Sequence, residues 1–309
     1  MISKVTLRFV RAIVQLAVAV LMALPARAEP MAGAASRLEA RLVPGIGAVG
    51  GLLHPVNIMD GADERGSLLA LGPALGLSPD EIARIRAVSG YVGCFLPSPS
   101  VGSGALFLDN RQIITAGHIL FDPSGTPRSK CFFRNQAAEP VMVDLLTDPA
   151  NTRFGGHPPK AGSNSDFAIV RLVEPVAGAE PFPVEPTVPV AAGDALIVVT
   201  AHPAGMAAEM DKSAPVVQGC RVRRAPISSS ATSFFRTDCD ATGSSSGGMH
   251  LARVNGRLAF RGVTITAGPW QDPKFHGAPY DEAAGSATTA LGTDAAVLDA
   301  GRSLAADRF

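Results

Sequence analysis

From Tyr91 onward, short apolar runs alternate with Gly, Pro, Asn and Asp, and this texture restricts the chain to an architecture of many short strands. Strands of that kind each bury one face, so they need a facing sheet; a turn-rich succession of them favours a sandwich or a barrel. Strands are expected at Tyr91–Leu96, Ala105–Leu108, Gln112–Ala116, Val141–Leu146, Phe167–Leu172, Ala195–Thr200, Gly219–Arg223, Ser233–Thr237, Gly248–Arg253 and Leu258–Thr266. Asp109-Asn110 sits between two of them as a hairpin signal. The 47% hydrophobic and 17% charged content, with 32 Gly and 25 Pro, marks a turn-rich globular chain rather than a disordered or fibrous one.

The first residues read as an export signal. Lys4, Arg8 and Arg11 make a basic start, Ala12 to Leu24 is almost wholly apolar, and Ala26-Arg27-Ala28 supplies small residues two apart. Residues 1–28 are therefore expected to be removed. The apolar run is shorter than the roughly 20 residues a membrane span needs, so no stable membrane anchor is expected after cleavage. The mature protein would be secreted or periplasmic.

Residues 29–88 read as an N-terminal extension or propeptide, Gly-, Ala- and Pro-rich up to residue 77 and then carrying one short helix. Ser78-Pro79-Asp80-Glu81 is a helix start: Ser78 caps, Pro79 suits the first position and Glu81 reaches back to the cap. Residues 89–309 form the main domain. Its Ala-rich tail from Asp281 has room for a weak helix near Asp294–Ala300.

Loss of residues 1–28 removes four of the 27 basic residues and no acid, leaving 23 against 27 and a formal charge of −4. Nucleic acid is not an expected partner, because its binding needs a basic face. Cys94, Cys131, Cys220 and Cys239 are an even set behind an export signal, which points to disulfides, expected as Cys94–Cys131 and Cys220–Cys239; free buried thiols are the alternative. No close pair of cysteines suggests zinc, and no metal or cofactor is expected. The sequence leaves the oligomeric state open.

Three segments carry chemistry. Ile113-Ile114-Thr115-Ala116-Gly117-His118 is an apolar strand that delivers an imidazole at its end. Ser165-Asp166-Phe167-Ala168-Ile169-Val170-Arg171-Leu172 places an aspartate at the mouth of another strand. Asp238-Cys239-Asp240-Ala241-Thr242-Gly243-Ser244-Ser245-Ser246-Gly247-Gly248 holds a serine among small residues, where a tight turn exposes its oxygen and lets backbone N–H groups converge. A serine hydroxyl is a weak nucleophile unless a base lies within hydrogen-bond reach, and the base needs a partner that sets its tautomer.

In that order, these segments resemble the trypsin/chymotrypsin superfamily, and most nearly its bacterial branch with the glutamyl endopeptidases. The resemblance runs from about Tyr91 to Pro269. Gly102-Ser103-Gly104 looks like that family's Gly-x-Gly stretch, and His202-Pro203-Ala204-Gly205 with Gly219-Cys220-Arg221-Val222 like its entry to the second barrel. The resemblance implies an all-β fold of two six-stranded antiparallel barrels, and cleavage of polypeptides through an acyl-enzyme. It implies Ser246 as nucleophile, His118 as base, Asp166 as the partner of His118, and the N–H groups of Ser244 and Ser246 as the oxyanion hole.

Some positions depart from the family. Ser244 stands where glycine is usual, which prompts a second reading as a catalytically weak, protease-like binding protein. Ser245 replaces the aspartate that pairs with a newly cut amine in trypsin, so activation should take another route, such as removal of part of residues 29–88. Asp240, Ala241 and Thr264 fall at the substrate pocket. Asp240 matches trypsin's pocket-floor acid and reads either as a selector of basic residues or as a structural group. Thr264 stands where glutamyl enzymes carry histidine, which removes support for acidic preference.

Overall fold

The computed structural model describes residues 56–201, 213–225, 234–242, 244–266 and 277–307. The expected signal over residues 1–28 and the extension up to residue 55 lie outside the described residues, as do His202, Gly243 and residues 267–276.

The chain enters through β1 (Val56–Asn57), β2 (Gly66–Ser67), α1 (Leu68–Leu71) and α2 (Pro79–Val88). There follow β3 (Ser89–Leu96), β4 (Ser100–Leu106), β5 (Gln112–Thr115), β6 (Ser129–Asn135), β7 (Met142–Leu146), β8 (Thr152–Phe154) and β9 (Ala168–Leu172). They join in the order β5-β4-β3-β6-β7-β9, and β5 pairs back onto β9, so six antiparallel strands close on themselves with β8 added outside β9. A second set comprises β10 (Ala195–Thr200), β11 (Val216–Arg224), β12 (Phe234–Thr237), β13 (Ala241–Thr242), β14 (Met249–Val254), β15 (Arg257–Thr266) and β16 (Thr288–Gly292). Here β10-β14-β15-β16-β12-β11 form the ring, closed by β10 on β11, with β2 extending β11 and β13 pairing with β1. The fold is thus two six-stranded antiparallel barrels, completed by α3 (Ala295–Ala306). Among the described residues, closure leaves no long free strand edge in either ring.

Local chemistry explains the helices. Ser78 Oγ accepts the Glu81 N–H at 3.2 Å and the Glu81 carboxylate accepts the Ser78 N–H at 2.8 Å, so the cap of α2 satisfies donors at both ends of its first turn. Asp294 caps α3 by accepting from Val297 N at 3.2 Å. Leu68, Leu77, Ile85 and Val88 join the same buried cluster as strand residues of both barrels. The residues from Gly66 to Val88 are therefore packed against the barrels rather than trailing from them.

Cys94 and Cys131 lie directly opposite each other on β3 and β6, 4.0 Å apart at Cα, and are bonded. Cys220 on β11 is bonded to Cys239, 5.1 Å away at Cα. Each stabilises by about 2–4 kcal/mol, mainly by restricting the unfolded chain. Among the described residues no helix is long and apolar enough to cross a membrane.

Candidate active site

His118 sits in a single 3-10 turn, Gly117–Ile119, just past β5, and Asp166 lies two residues before β9. Because β5 and β9 pair with Thr115 opposite Ala168, both side chains leave the same end of one strand pair. Asp166 is fully buried. Its Oδ1 accepts the His118 main-chain N–H at 2.9 Å, and its Oδ2 faces His118 Nδ1 at 2.8 Å and accepts Gly162 N–H at 2.7 Å. With main-chain N–H groups on both of its oxygens, the carboxylate is placed to accept a hydrogen bond from a proton carried on Nδ1. That leaves His118 Nε2 as the acceptor, 3.0 Å from Ser246 Oγ.

Ser246 is carried by a turn that the second barrel holds from several sides. Ser245 N donates to Thr242 O at 3.0 Å, and Thr242 N donates back to Ser245 Oγ at 2.9 Å. Gly248 N reaches Ser245 O at 2.8 Å and Gly247 N reaches Thr264 O at 2.7 Å. The first barrel contributes Ser103, whose N–H donates to Ser246 O at 2.8 Å. The Ser103 hydroxyl donates to Ser244 O at 3.3 Å and accepts from Ala201 N at 2.9 Å. Among the described residues, none accepts a hydrogen bond from Ser244 N or Ser246 N.

The residues expected at the pocket have different surroundings. Asp240 is buried, and its two carboxylate oxygens accept Met59 N–H at 2.8 Å and Glu64 N–H at 2.9 Å. Ala241 is buried in β13 opposite Asn57. Thr264 is held by Gly247 and Gly248 through its main chain, and its Oγ1 lies 2.9 Å from Nε2 of the fully buried His250. The structure thus brings His118, Asp166, Ser246 and Ser244 together, with Thr264 behind the nucleophile turn, while the Asp240 carboxylate faces the N-terminal segment.

Several contacts at the site have no counterpart in the sequence motifs. Gly162, His250, Met59 and Glu64 belong to no motif. Ser103 belongs to Gly102-Ser103-Gly104, and its backbone bond to Ser246 is not legible from that pattern.

Burial pushes the Asp240 carboxyl up to about 6, with Asp63 adding to the rise and the two amides and Arg65 opposing it. Burial pulls the His250 imidazole down to about 3. The two groups act on acid stability with opposite signs. Below pH 6 the folded Asp240 binds a proton that the unfolded chain takes up only near 3.8, so this group stabilises the fold as pH falls. His250 does the reverse, because the unfolded imidazole gains a proton at 6.5 that the folded one refuses until about 3. At about 1.4 kcal/mol per pKa unit, the effects are about 3 and about 5 kcal/mol. Asp240→Asn removes the smaller, opposing effect. Its stability relative to wild type should therefore fall by about 2 kcal/mol between pH 7 and pH 4 in urea unfolding; a difference independent of pH would contradict this account.

Residues 102–259, slightly more than half of the chain, match the family described as trypsin-like peptidase domain. Among solved structures, a Glu endopeptidase in complex with MPD superposes with a TM-score of 0.54 at 13% identity, covering 81% of this chain and 100% of that one. A thermostable serine protease from an extremophilic microorganism gives 0.50 at 15% identity, covering 72% and 99%. At such identities the likeness is one of fold. No curated protein matches the chain.

Proposed function

The chain belongs to the trypsin-like peptidase family and is a serine endopeptidase, and from that premise we propose that His118, Asp166 and Ser246 are its catalytic triad. The observation that carries this reading is the continuous path from Asp166 Oδ2 through the imidazole to Ser246 Oγ, with steps of 2.8 and 3.0 Å.

In the proposed reaction, Ser246 Oγ attacks the carbonyl carbon of a peptide bond while its proton passes to His118 Nε2. The carbonyl oxygen becomes an oxyanion, received by the N–H groups of Ser244 and Ser246. His118 then gives its proton to the leaving amine nitrogen, and an ester to Ser246 remains. Water enters by the same proton path in reverse and releases the acid. Asp166 stays ionised throughout and stabilises the imidazolium. Only a neutral imidazole can take the serine proton, so activity falls as His118 becomes protonated.

The mutual bonds of Ser245 and Thr242 support a nucleophile turn that is built without an incoming amine. The two disulfides and the basic-then-apolar first residues support action in an oxidising compartment, periplasm or medium, on a polypeptide substrate.

A fluorophosphonate probe tests the assignment. One label per chain is expected, on Ser246, in protein recovered outside the cytoplasm and beginning after Ala28 or later. Ser246→Ala should take up none. Labelling that survives this substitution would reject Ser246; no labelling of the wild-type chain would favour the binding-protein reading that Ser244 prompts.

A further inference from the structure

The segment from Val56 to Leu68 is tied to the second barrel along its whole length. β1 pairs with β13, Val56 opposite Thr242 and Asn57 opposite Ala241. Ile58 O accepts Gly277 N at 2.7 Å, Asp60 N donates to Ala278 O at 2.9 Å, and Asp60 Oδ1 accepts Tyr280 N at 3.1 Å. Met59 and Glu64 donate their N–H groups to Asp240, 181 and 176 positions away. Asp63 pairs with the buried Arg65 at 2.7 Å. β2 then joins β11, and Leu68 N reaches Pro215 O at 2.8 Å.

We propose that residues 56–67 are a permanent strap backing the wall of the primary specificity pocket, and that Asp240 is the clamp holding it rather than the acid that binds a basic substrate side chain. The proposal rests on the peptidase reading above for the pocket, though not for the clamp. Asp240 is itself fixed from both sides, since Gln218 Nε2 donates to its carbonyl at 2.6 Å and Gln218 Oε1 accepts its N–H at 3.1 Å. A buried carboxylate without donors is costlier still, and two main-chain amides offset part of that cost with no bound Lys or Arg. The next two residues, Ala241 and Thr242, bear the strap on one side and the nucleophile turn on the other.

Two consequences follow. Any maturation cut must fall before Val56, which narrows the removable part of residues 29–88 to its first half. Loosening the strap displaces the pocket wall but not the β5–β9 end that holds His118 and Asp166, so it raises KM while kcat holds.

The test compares full-length wild type, Asp240→Ala and Asp240→Asn. Hydrogen exchange over residues 58–65 should be at least tenfold faster in Asp240→Ala, which leaves the buried Met59 amide and the part-buried Glu64 amide without their acceptor. With a fluorogenic peptide series differing only in the residue before the cut, Asp240→Ala should raise KM at least fivefold with kcat within threefold. Asp240→Asn should leave the ratio of Lys/Arg cleavage to uncharged-residue cleavage within threefold of wild type. Unchanged exchange in Asp240→Ala overturns the clamp, and a hundredfold loss of Lys/Arg preference in Asp240→Asn overturns the pocket assignment. Should Asp240→Ala not fold, Asp240→Asn keeps one acceptor oxygen and carries the exchange comparison, with faster exchange again expected. Exchange is read without turnover, so an inactive chain would defeat the peptidase reading while the clamp is still decided.

Discussion

Asp166→Asn is expected to lower kcat by about 10⁴-fold while leaving the fold intact. The side chain is fully buried, and its two oxygens meet three N–H groups, from the His118 main chain, the His118 ring and Gly162. An asparagine of the same shape has one acceptor oxygen and one NH₂ group. If the oxygen serves Oδ1, the NH₂ confronts Gly162 N–H and His118 Nδ1, and the imidazole must present a bare Nδ1 to it. The ring proton then sits on Nε2, facing Ser246 Oγ, where it cannot accept. If the amide turns the other way, the NH₂ confronts the His118 main-chain N–H and the turn 117–119 is strained instead. Either arrangement also loses the charge that stabilises the imidazolium. Steady-state kinetics on a peptide ester and on an amide, with a thermal melt alongside, check the result. A melt within a few degrees of wild type together with more than a tenth of wild-type kcat would remove Asp166 from the proposed machinery.

The same residues show why parts of this molecule can be read from the sequence. His118 and Asp166 are 48 positions apart, yet each ends or opens an apolar strand with a recognisable edge. β5 and β10 were legible almost to the residue, because their cores are unbroken runs of branched side chains flanked by polar ones. β16 was not. Thr288–Gly292 is buried at all five positions, between β15 and β12, so both faces are covered and no alternation marks it; its Thr, Ala and Gly content looks like the loop before it. β6 was hidden for a different reason. Ser129 and Lys130 are exposed and Arg134 is polar, so its apolar centre is only Cys131 to Phe133.

β4 begins at Ser100, five residues earlier than the apolar run suggests. Its Gly102-Ser103-Gly104 stretch reads as loop by composition, and is strand because it pairs with Val92, Tyr91 and Gly90 of β3. The strap was illegible for a reason of range. The donors to Asp240 are ordinary main-chain amides at Met59 and Glu64, and no side-chain pattern announces a bond made by the backbone. Local periodicity thus disclosed the strands that carry His118 and Asp166, while the contacts that lock the nucleophile turn and the pocket wall arise only on closure of the barrels.

That closure makes Gly247→Ala the second large effect. Gly247 has φ of +80°, and a Cβ there would stand 1.9 Å from Ser103 O and 2.5 Å from Thr115 Oγ1. Neither neighbour is free to withdraw. Ser103 O accepts Thr115 Oγ1 at 2.7 Å, and Ser103 N is bonded to Ser246 O. The turn must then move away from β4, which breaks the Ser103–Ser246 bond and shifts Ser246 Oγ and its N–H by an ångström or more. A misplacement of about 1 Å costs on the order of 10²-fold, and loss of an oxyanion donor a further 10²–10³, so kcat/KM should fall at least about 10³-fold and fluorophosphonate labelling should become undetectable on the wild-type timescale. Gly256→Ala separates the two physical causes. Gly256 has φ of +78° in the Asn255-Gly256 turn between β14 and β15, yet a Cβ there meets nothing within 4 Å. It carries the same left-handed penalty, about 1–2 kcal/mol, without the overlap. Gly256→Ala should therefore lower the melting temperature by a few degrees and keep its labelling rate. If Gly247→Ala labels as fast as Gly256→Ala, contact between the two barrels at Ser103 does not hold the nucleophile in place.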